Sequence, residues 1–389
     1  MNFQSKLPNV GTTIFTTMSQ LALQHQAINL GQGFPDFSPD PELISLVHEA
    51  MLQGHNQYPA MPGVPALREQ ISLKVNKLYG HNYNAETEIT VTSGATEALM
   101  CSILALVKTG DEVIVIEPVY DLYIPAIELA GGTPVVVPML APDAQHGNYR
   151  VDWQRVRDAI NAKTRMLVLN FPHNPTGIIL TDSDLDILET IVADSGIFIL
   201  SDEVYEHIVF GNAMHCSMAK RSALIERSII VSSFGKTYHV TGWKLGYCLA
   251  TATVMHEIRK VHQFTVFTVY SPMQYAMAQF LKNPAPYTKL SSFYQSKRDY
   301  LANGLKHTQF KPLLSQGTFF LLADYSQIST EPEAAFVRQL TVKHGVTAIP
   351  MSAFYQNPDA VESNHQLIRL CFAKEDVTLD AALDRLKML

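Results

Sequence analysis

Ser228-Ile229-Ile230-Val231-Ser232-Ser233-Phe234-Gly235-Lys236-Thr237 runs from an apolar stretch into small residues and a lysine, and the aromatic, glycine-containing run Thr241-Gly242-Trp243-Lys244-Leu245-Gly246-Tyr247 follows. Lysines usually lie on polar faces with the charged head in water; Lys236 leaves the end of what reads as a buried strand. Working outward, the same unit recurs. Upstream, Ile199-Leu200-Ser201-Asp202-Glu203-Val204-Tyr205 ends another apolar run on two carboxylates and a tyrosine. Between Glu88 and Ala250 the candidate strands are Ile89 to Thr92, Glu112 to Glu117, Pro134 to Pro138, Arg165 to Asn170, Ile197 to Ser201, Ser228 to Val231 and Leu245 to Ala250. Most are continuous apolar runs rather than alternations, as suits a sheet covered on both faces. Helical patterns separate them. Gly94 to Val107 reads as a helix stopped by Thr109-Gly110, and Thr181-Asp182-Ser183-Asp184 opens another that Ser195-Gly196 closes. The alternation predicts an α/β fold built on a mostly parallel, doubly wound sheet.

The C-terminal part has a different pattern. A long amphipathic stretch, Tyr287 to His307, reads as a connecting helix, followed by strand (Thr318 to Ala323), helix (Glu331 to His344, capped by Gly345), strand (Gln366 to Phe372) and helix (Thr378 to Leu389). These make a smaller α+β domain. The first forty or so residues, with Pro8, Gly11, Gly31, Gly33 and Pro35, read as too loop-like for a domain of their own and are expected to pack on the small domain and border the active site. The division is therefore a large domain over 45–285 and a small domain from 1–44 and 286–389. A chain of 389 residues suits two domains in contact. Its formal net charge of −7 and lack of a long basic run argue against nucleic acid as a partner. Met1 to Phe15 holds no apolar signal core, and no apolar stretch is long enough to cross a bilayer, so a cytoplasmic protein with no membrane role is expected. The 4 cysteines form no C-x-x-C pair and the 14 histidines show no zinc spacing, so free buried thiols and no metal are expected.

Three runs carry chemistry. Ser93-Gly94-Ala95-Thr96-Glu97 lies between a strand and a helix, where small residues let backbone N–H groups approach a phosphate and the helix dipole favours the anion; an ordinary strand-to-helix turn would look the same. Ser233 and Lys244 can add a hydroxyl and a cation to that phosphate. In Asn170-Phe171-Pro172-His173-Asn174-Pro175-Thr176-Gly177, a turn-forming loop after a strand, Asn174 can reach a cofactor phenolate. Asp202 can hold a pyridine nitrogen protonated and make the ring an electron sink, and Tyr205 can reach the same phenolate. A free lysine, with a pKa near about 10.4, is a poor nucleophile at neutral pH; joined to an aldehyde cofactor it becomes useful. Lys236 with Asp202 and Asn174 points to pyridoxal 5'-phosphate.

With these residues in place, the chain resembles the fold-type I pyridoxal-phosphate aminotransferases of class I/II over essentially its whole length. It is most similar to the branch holding kynurenine/glutamine transaminases and bacterial methionine aminotransferase. The resemblance rests on Asn29-Leu30-Gly31-Gln32-Gly33-Phe34-Pro35-Asp36-Phe37, Tyr58-Pro59, Glu117-Pro118-Val119-Tyr120-Asp121, His173-Asn174-Pro175-Thr176-Gly177, Ser201-Asp202-Glu203-Val204-Tyr205, Ser233-Phe234-Gly235-Lys236 and Ile368-Arg369-Leu370. It implies that Lys236 is the Schiff-base lysine and the acid/base at Cα, and that Tyr120 stacks on the cofactor ring. Gly94, Ala95, Thr96, Ser233 and Lys244 would cradle the phosphate. Arg369, helped by Gly33 and Asn174, would bind the substrate carboxylate. It further implies a homodimer with shared sites, in which Tyr58 reaches the partner's phosphate and Phe267, with Phe15, lines an aromatic side-chain pocket. Many relatives carry arginine where Lys244 stands, so the phosphate contact here is a point charge rather than a fork. The stretch His262 to Tyr270 holds no arginine that would select a dicarboxylate. The expected reaction is transfer of the amino group of methionine, phenylalanine, tyrosine, histidine or kynurenine to a 2-oxo acid, methionine foremost. The alternative is a cysteine-conjugate C–S β-lyase.

Overall fold

The computed structural model describes residues 4–389; residues 1–3, part of the expected 1–44 segment and of the Met1 to Phe15 stretch, lie outside the described residues. A helix, Ile14–Gln24, precedes the short strand β1 (Ile28–Asn29). The strands β2 (Ile89–Thr92), β3 (Glu112–Glu117), β4 (Thr133–Pro138), β5 (Thr164–Asn170), β6 (Phe198–Asp202), β7 (Ser228–Ser233) and β8 (Gly246–Leu249) then form a sheet in the order β2-β8-β7-β6-β5-β3-β4. The pairs β3/β4, β3/β5, β5/β6 and β6/β7 are parallel, while β8 runs antiparallel to both neighbours. Only residues 234–245 connect β7 to β8, a link that returns the chain antiparallel instead of crossing over. One consequence is that Lys236 and Lys244 emerge at the same end of the sheet. Apolar residues on both sheet faces are buried in two separate clusters, which explains the continuous apolar strands.

The second sheet has the order β12-β13-β10-β9, from β9 (Lys311–Pro312), β10 (Phe320–Asp324), β12 (Ile349–Pro350) and β13 (Leu367–Cys371); β1 pairs in parallel with β11 (Val346–Thr347). The helix Leu290–Leu305 leads into it after a short turn of helix, Ala285–Thr288. The 182–195 helix opens on the expected reciprocal cap between Thr181 and Asp184 and closes on left-handed Gly196.

Three expectations need correction. The helix from Gly94 ends at Leu106, with Val107 already extended; Gly110, φ +92°, belongs to the turn into β3 rather than to the cap. The N-terminal region is not all loop, because Thr13 caps the helix that buries Met18, Leu21 and Ala22. The boundary at 44/45 falls inside the helix Pro41–Leu52, which packs on the helix Ser271–Phe280 of the large sheet's side. A continuous hydrogen-bonded helix thus spans the expected cut, as the helix Ala285–Thr288 spans the one at 285/286.

Candidate active site

Each chemistry-bearing run leaves the carboxyl end of a strand of the large sheet. Gly94 follows β2, Tyr120 follows β3, Asn174 follows β5, Asp202 ends β6 and Lys236 follows β7. Register sets their depth: Asn170 is opposite Asp202, and Gly246 is opposite both Thr92 and Ser233. In open α/β sheets this rim is where ligands bind. Gly246 is a close approach: a Cβ there would stand 2.7 Å from Ser232 O and 2.9 Å from Gly94 C and Ala95 N. Its missing side chain lets the Gly94 turn and the Ser233 turn meet.

The result is a cleft of about 740 Å³ of empty space, lined by Gly94, Ala95, Thr96, Tyr120, Asn174, Asp202, Tyr205, Ser233, Lys236 and Lys244 among others. Lys236 Nζ donates to Gly33 O at 3.2 Å and stands 5.7 Å from the Tyr205 ring and 5.3 Å from the Phe319 ring. Burial pushes its amine down to about 8, although the open cleft leaves it partly accessible. Asp202 is buried at the base. Burial lifts its carboxyl to about 6 against the opposing hydrogen bonds of Tyr123 (Oη to Oδ2, 2.7 Å) and Val204 N and the nearby Lys236 charge. At the other end, Lys244 takes a left-handed backbone (φ +53°) that turns its Nζ to 3.5 Å from Thr96 Oγ1, and Ser233 Oγ accepts from Gly235 N.

Arg369, on β13, closes the cleft from the small sheet. Its guanidinium lies 3.7 Å above the Phe320 ring centre, 5.0 Å from Phe354 and 5.3 Å from Phe15. Nη1 donates to Asn174 Oδ1 at 2.5 Å and Nη2 to Gly31 O at 3.0 Å, while the buried Nε has no partner among the described residues. The carbonyl touching Arg369 is thus that of Gly31. Gly33, expected beside Arg369, turns its own carbonyl to Lys236, because the loop after β1 passes between the two cations.

Tyr58 and Phe267 do not reach this cleft. They touch each other edge to face, centroids 5.4 Å apart, on an outer surface where Tyr58 is 82% exposed. Two residues that the sequence reading gave no role belong to the site. Tyr123 donates to Asp202 and packs edge to face on Tyr120; Asn170 Oδ1 accepts from Asn174 N, and its Nδ2 donates to Asp202 O. Only the recurrence of a tyrosine three residues after Tyr120 hinted at the first.

The site fits pyridoxal phosphate on its own geometry. A helix N-terminus with a lysine and a serine marks an anion end, a carboxylate held by Tyr123 marks a cation-seeking base, and Tyr120 offers a ring face between them. The unpartnered Nε of a buried arginine offers a further donor to an anionic ligand.

Comparison with known proteins agrees. The family model of aminotransferase class I and II matches residues 25–386. The chain is 50% identical to a methionine aminotransferase of Escherichia coli (strain K12), covering 99% of this chain and 98% of the relative. It is 34% identical to a kynurenine–oxoglutarate transaminase of Dictyostelium discoideum, covering 97% and 94%. A crystal structure of an Escherichia coli protein identified as having methionine aminotransferase function overlays with a TM-score of 0.95 at 49% identity, covering all of both chains.

Proposed function

The chain belongs to the class I and II aminotransferases, a pyridoxal-phosphate-dependent family, and from that premise we propose that its amino donor is a neutral hydrophobic or aromatic L-amino acid, methionine foremost. The observation that carries this reading is the aromatic surround of Arg369: Phe15, Phe320 and Phe354 flank a cation that recognises a carboxylate. Apolar surroundings discriminate weakly among uncharged side chains, which suits a broad set of donors. Half identity to a methionine aminotransferase supports methionine within that set.

In this reading Gly94, Ala95, Thr96, Ser233 and Lys244 hold the cofactor's phosphate, Tyr120 covers its ring, Asn174 and Tyr205 face its phenolate oxygen, and Asp202 faces its pyridine nitrogen. When bound, pyridoxal phosphate supplies a covalent attachment point and an electron sink. Arg369 fixes the donor's α-carboxylate through its guanidinium and so aims the Cα proton at Lys236. Lys236 Nζ, whose amine burial brings down to about 8, would take that proton and return it beyond the donor's nitrogen, two atoms along. Proton transfer by a positioned group contributes roughly 10²–10⁴-fold. Asp202 keeps its negative charge because Tyr123 donates to it, and so holds a proton on the nitrogen it faces. The same reading makes the protein a cytoplasmic homodimer in which Tyr58 and Phe267 serve the partner's cleft, since both stand on an exposed apolar surface away from their own.

The test is the visible spectrum of the purified holoenzyme on adding methionine or aspartate without oxo acid. Methionine should discharge the cofactor band and aspartate should leave it; the reverse order defeats the donor assignment. Release of pyruvate and ammonia from a cysteine conjugate without an oxo acid would favour the C–S β-lyase alternative. Lys236→Ala should lose turnover.

A further inference from the structure

Behind the anion end of the cleft lies a buried pair that the proposed chemistry does not use. His262 is 0% and Glu97 7% exposed, and Nδ1 of the one stands 2.6 Å from Oε1 of the other. Each continues to a different place. Glu97 Oε2 accepts from Ser93 N at 2.7 Å, fixing the turn that opens the helix at Gly94. His262 Nε2 stands 3.0 Å from Met61 O, in the loop that carries Tyr58. The Met61 carbonyl can only accept, so Nε2 donates to it, and Nδ1 has the Glu97 carboxyl group as its partner. The backbone carbonyl of His262 accepts in addition from Val266 N (3.1 Å) and Phe267 N (3.0 Å), holding the turn in which Phe267 takes φ +69°. Gln274, also 0% exposed, ties the same two loops together, accepting from Val64 N and donating to Val269 O, both at 2.8 Å.

We propose that His262 is a positioning residue that fastens the Tyr58–Phe267 platform to the phosphate turn of its own subunit, so that one buried side chain serves two clefts, its own through Glu97 and the partner's through the platform. This rests on the shared-site reading above. The physical reason for such a strut is the placement of its ends. Tyr58 and Phe267 sit in short loops with exposed side chains, and a loop held only by surface contacts opens at low free-energy cost. A hydrogen bond in a dry interior resists that opening, because breaking it leaves a buried polar group unpaired. An apolar residue in place of His262 leaves the Met61 carbonyl buried without its donor and takes one partner from Glu97, which keeps Ser93 N and Cys101 Sγ.

Mixed dimers, co-expressed with two purification tags, separate the two ends. In the first, a subunit carrying Lys236→Ala and His262→Leu is paired with an unaltered one, so the sole working cleft borrows its platform from the altered subunit. Its KM for methionine should rise about tenfold with kcat within about twofold, the pattern of lost uniform binding. A dimer carrying Lys236→Ala alone in one subunit should keep both constants. In the cofactor-free His262→Leu protein, amide hydrogen exchange should quicken across 57–62 and 264–270. Unchanged KM in trans together with unchanged exchange overturns the proposal while leaving the shared-site reading intact. A fully active monomer in sedimentation removes both. If His262→Leu does not fold, Glu97→Ala carries the test. It removes the acceptor of Ser93 N and the partner of His262 Nδ1 together, so the cofactor-free protein should bind pyridoxal phosphate several-fold more weakly; unaltered affinity overturns the strut.

Discussion

Tyr123 shows how much one undistinguished residue can set. Its hydroxyl reaches Asp202 Oδ2 at 2.7 Å and stabilises the charged carboxylate, lowering a pKa that burial nevertheless holds at about 6. A hydrogen bond to a charged group contributes about 1.5–3 kcal/mol, so Tyr123→Phe should lift Asp202 further and move the acid limb of the kcat/KM profile for methionine up by about one pH unit. An unmoved limb would show that Asp202 does not govern it. Lys236 gives a second pH prediction. Burial lowers its amine to about 8, and only the neutral amine attacks an aldehyde. The rate of covalent capture of pyridoxal phosphate by the cofactor-free protein, followed by stopped-flow absorbance, should therefore rise with pH through about 8 and level off above it. A lysine at its ordinary value would keep gaining until about 10.4. Lys236 and Asp202 were legible in the sequence, since a lysine or aspartate at the end of an apolar run is a local oddity; Arg369 was assigned only through the family resemblance. Tyr123 was not, because its partner lies 79 positions away.

At the scale of elements, the turn after β6 is held from behind. Glu206, four residues beyond Asp202, accepts from Lys74 Nζ at 2.6 Å, Ser232 Oγ at 2.6 Å and Tyr79 Oη at 2.7 Å; Lys74 also donates to Tyr247 Oη. Burial alone would raise the Glu206 carboxyl, but Lys74 leads the charges and hydrogen bonds that outweigh it and hold it well below the usual carboxylate range. This knot ties the helix Pro65–Tyr79 to β7, β8 and the turn carrying Tyr205. Removing the cation strands a buried carboxylate, so Lys74→Met should destabilise the protein by about 3–5 kcal/mol in urea unfolding. A change below about 1 kcal/mol, typical of exposed pairs, would show the pair to be dispensable. The strands of the large sheet were read to within two residues, because runs buried on both faces are apolar, whereas the two-residue strands β1, β9, β11 and β12 are too short to show a pattern and were not read. Helix ends were read where a cap is local, as at Thr181 and Gly196. The end at Leu106 was misplaced because Gly110 serves the next turn, and a glycine looks the same in either duty.

For the whole molecule, the telling surface is the one bearing Tyr58, Phe264, Phe267 and Tyr270. Phe264 is 86% exposed and Tyr270 50%, in a chain whose other aromatic rings are mostly packed. Exposed apolar rings grouped in this way mark an interaction site, and a second copy of the chain is the occupant that the shared-site reading names. Phe264→Glu should cost an isolated chain no more than about 0.5 kcal/mol, as surface substitutions do. In a dimer it should place a charge in the interface, so sedimentation velocity at falling concentration should show dissociation that the unaltered protein resists. Equal stability of association in the two proteins would put the dimer contact elsewhere. Among the described residues, no helix is long and apolar enough to cross a membrane.

The sequence by itself determined the sheet, the chain order of its strands and the kind of chemistry at their ends, because burial pattern, capping and residue type are properties of neighbours along the chain. Tertiary structure alone decided which of those groups meet. Arg369 lies 195 positions from Asn174 and 338 from Gly31, yet bonds both. That meeting depends on the register of two sheets and the docking of one against the other, which no local pattern encodes.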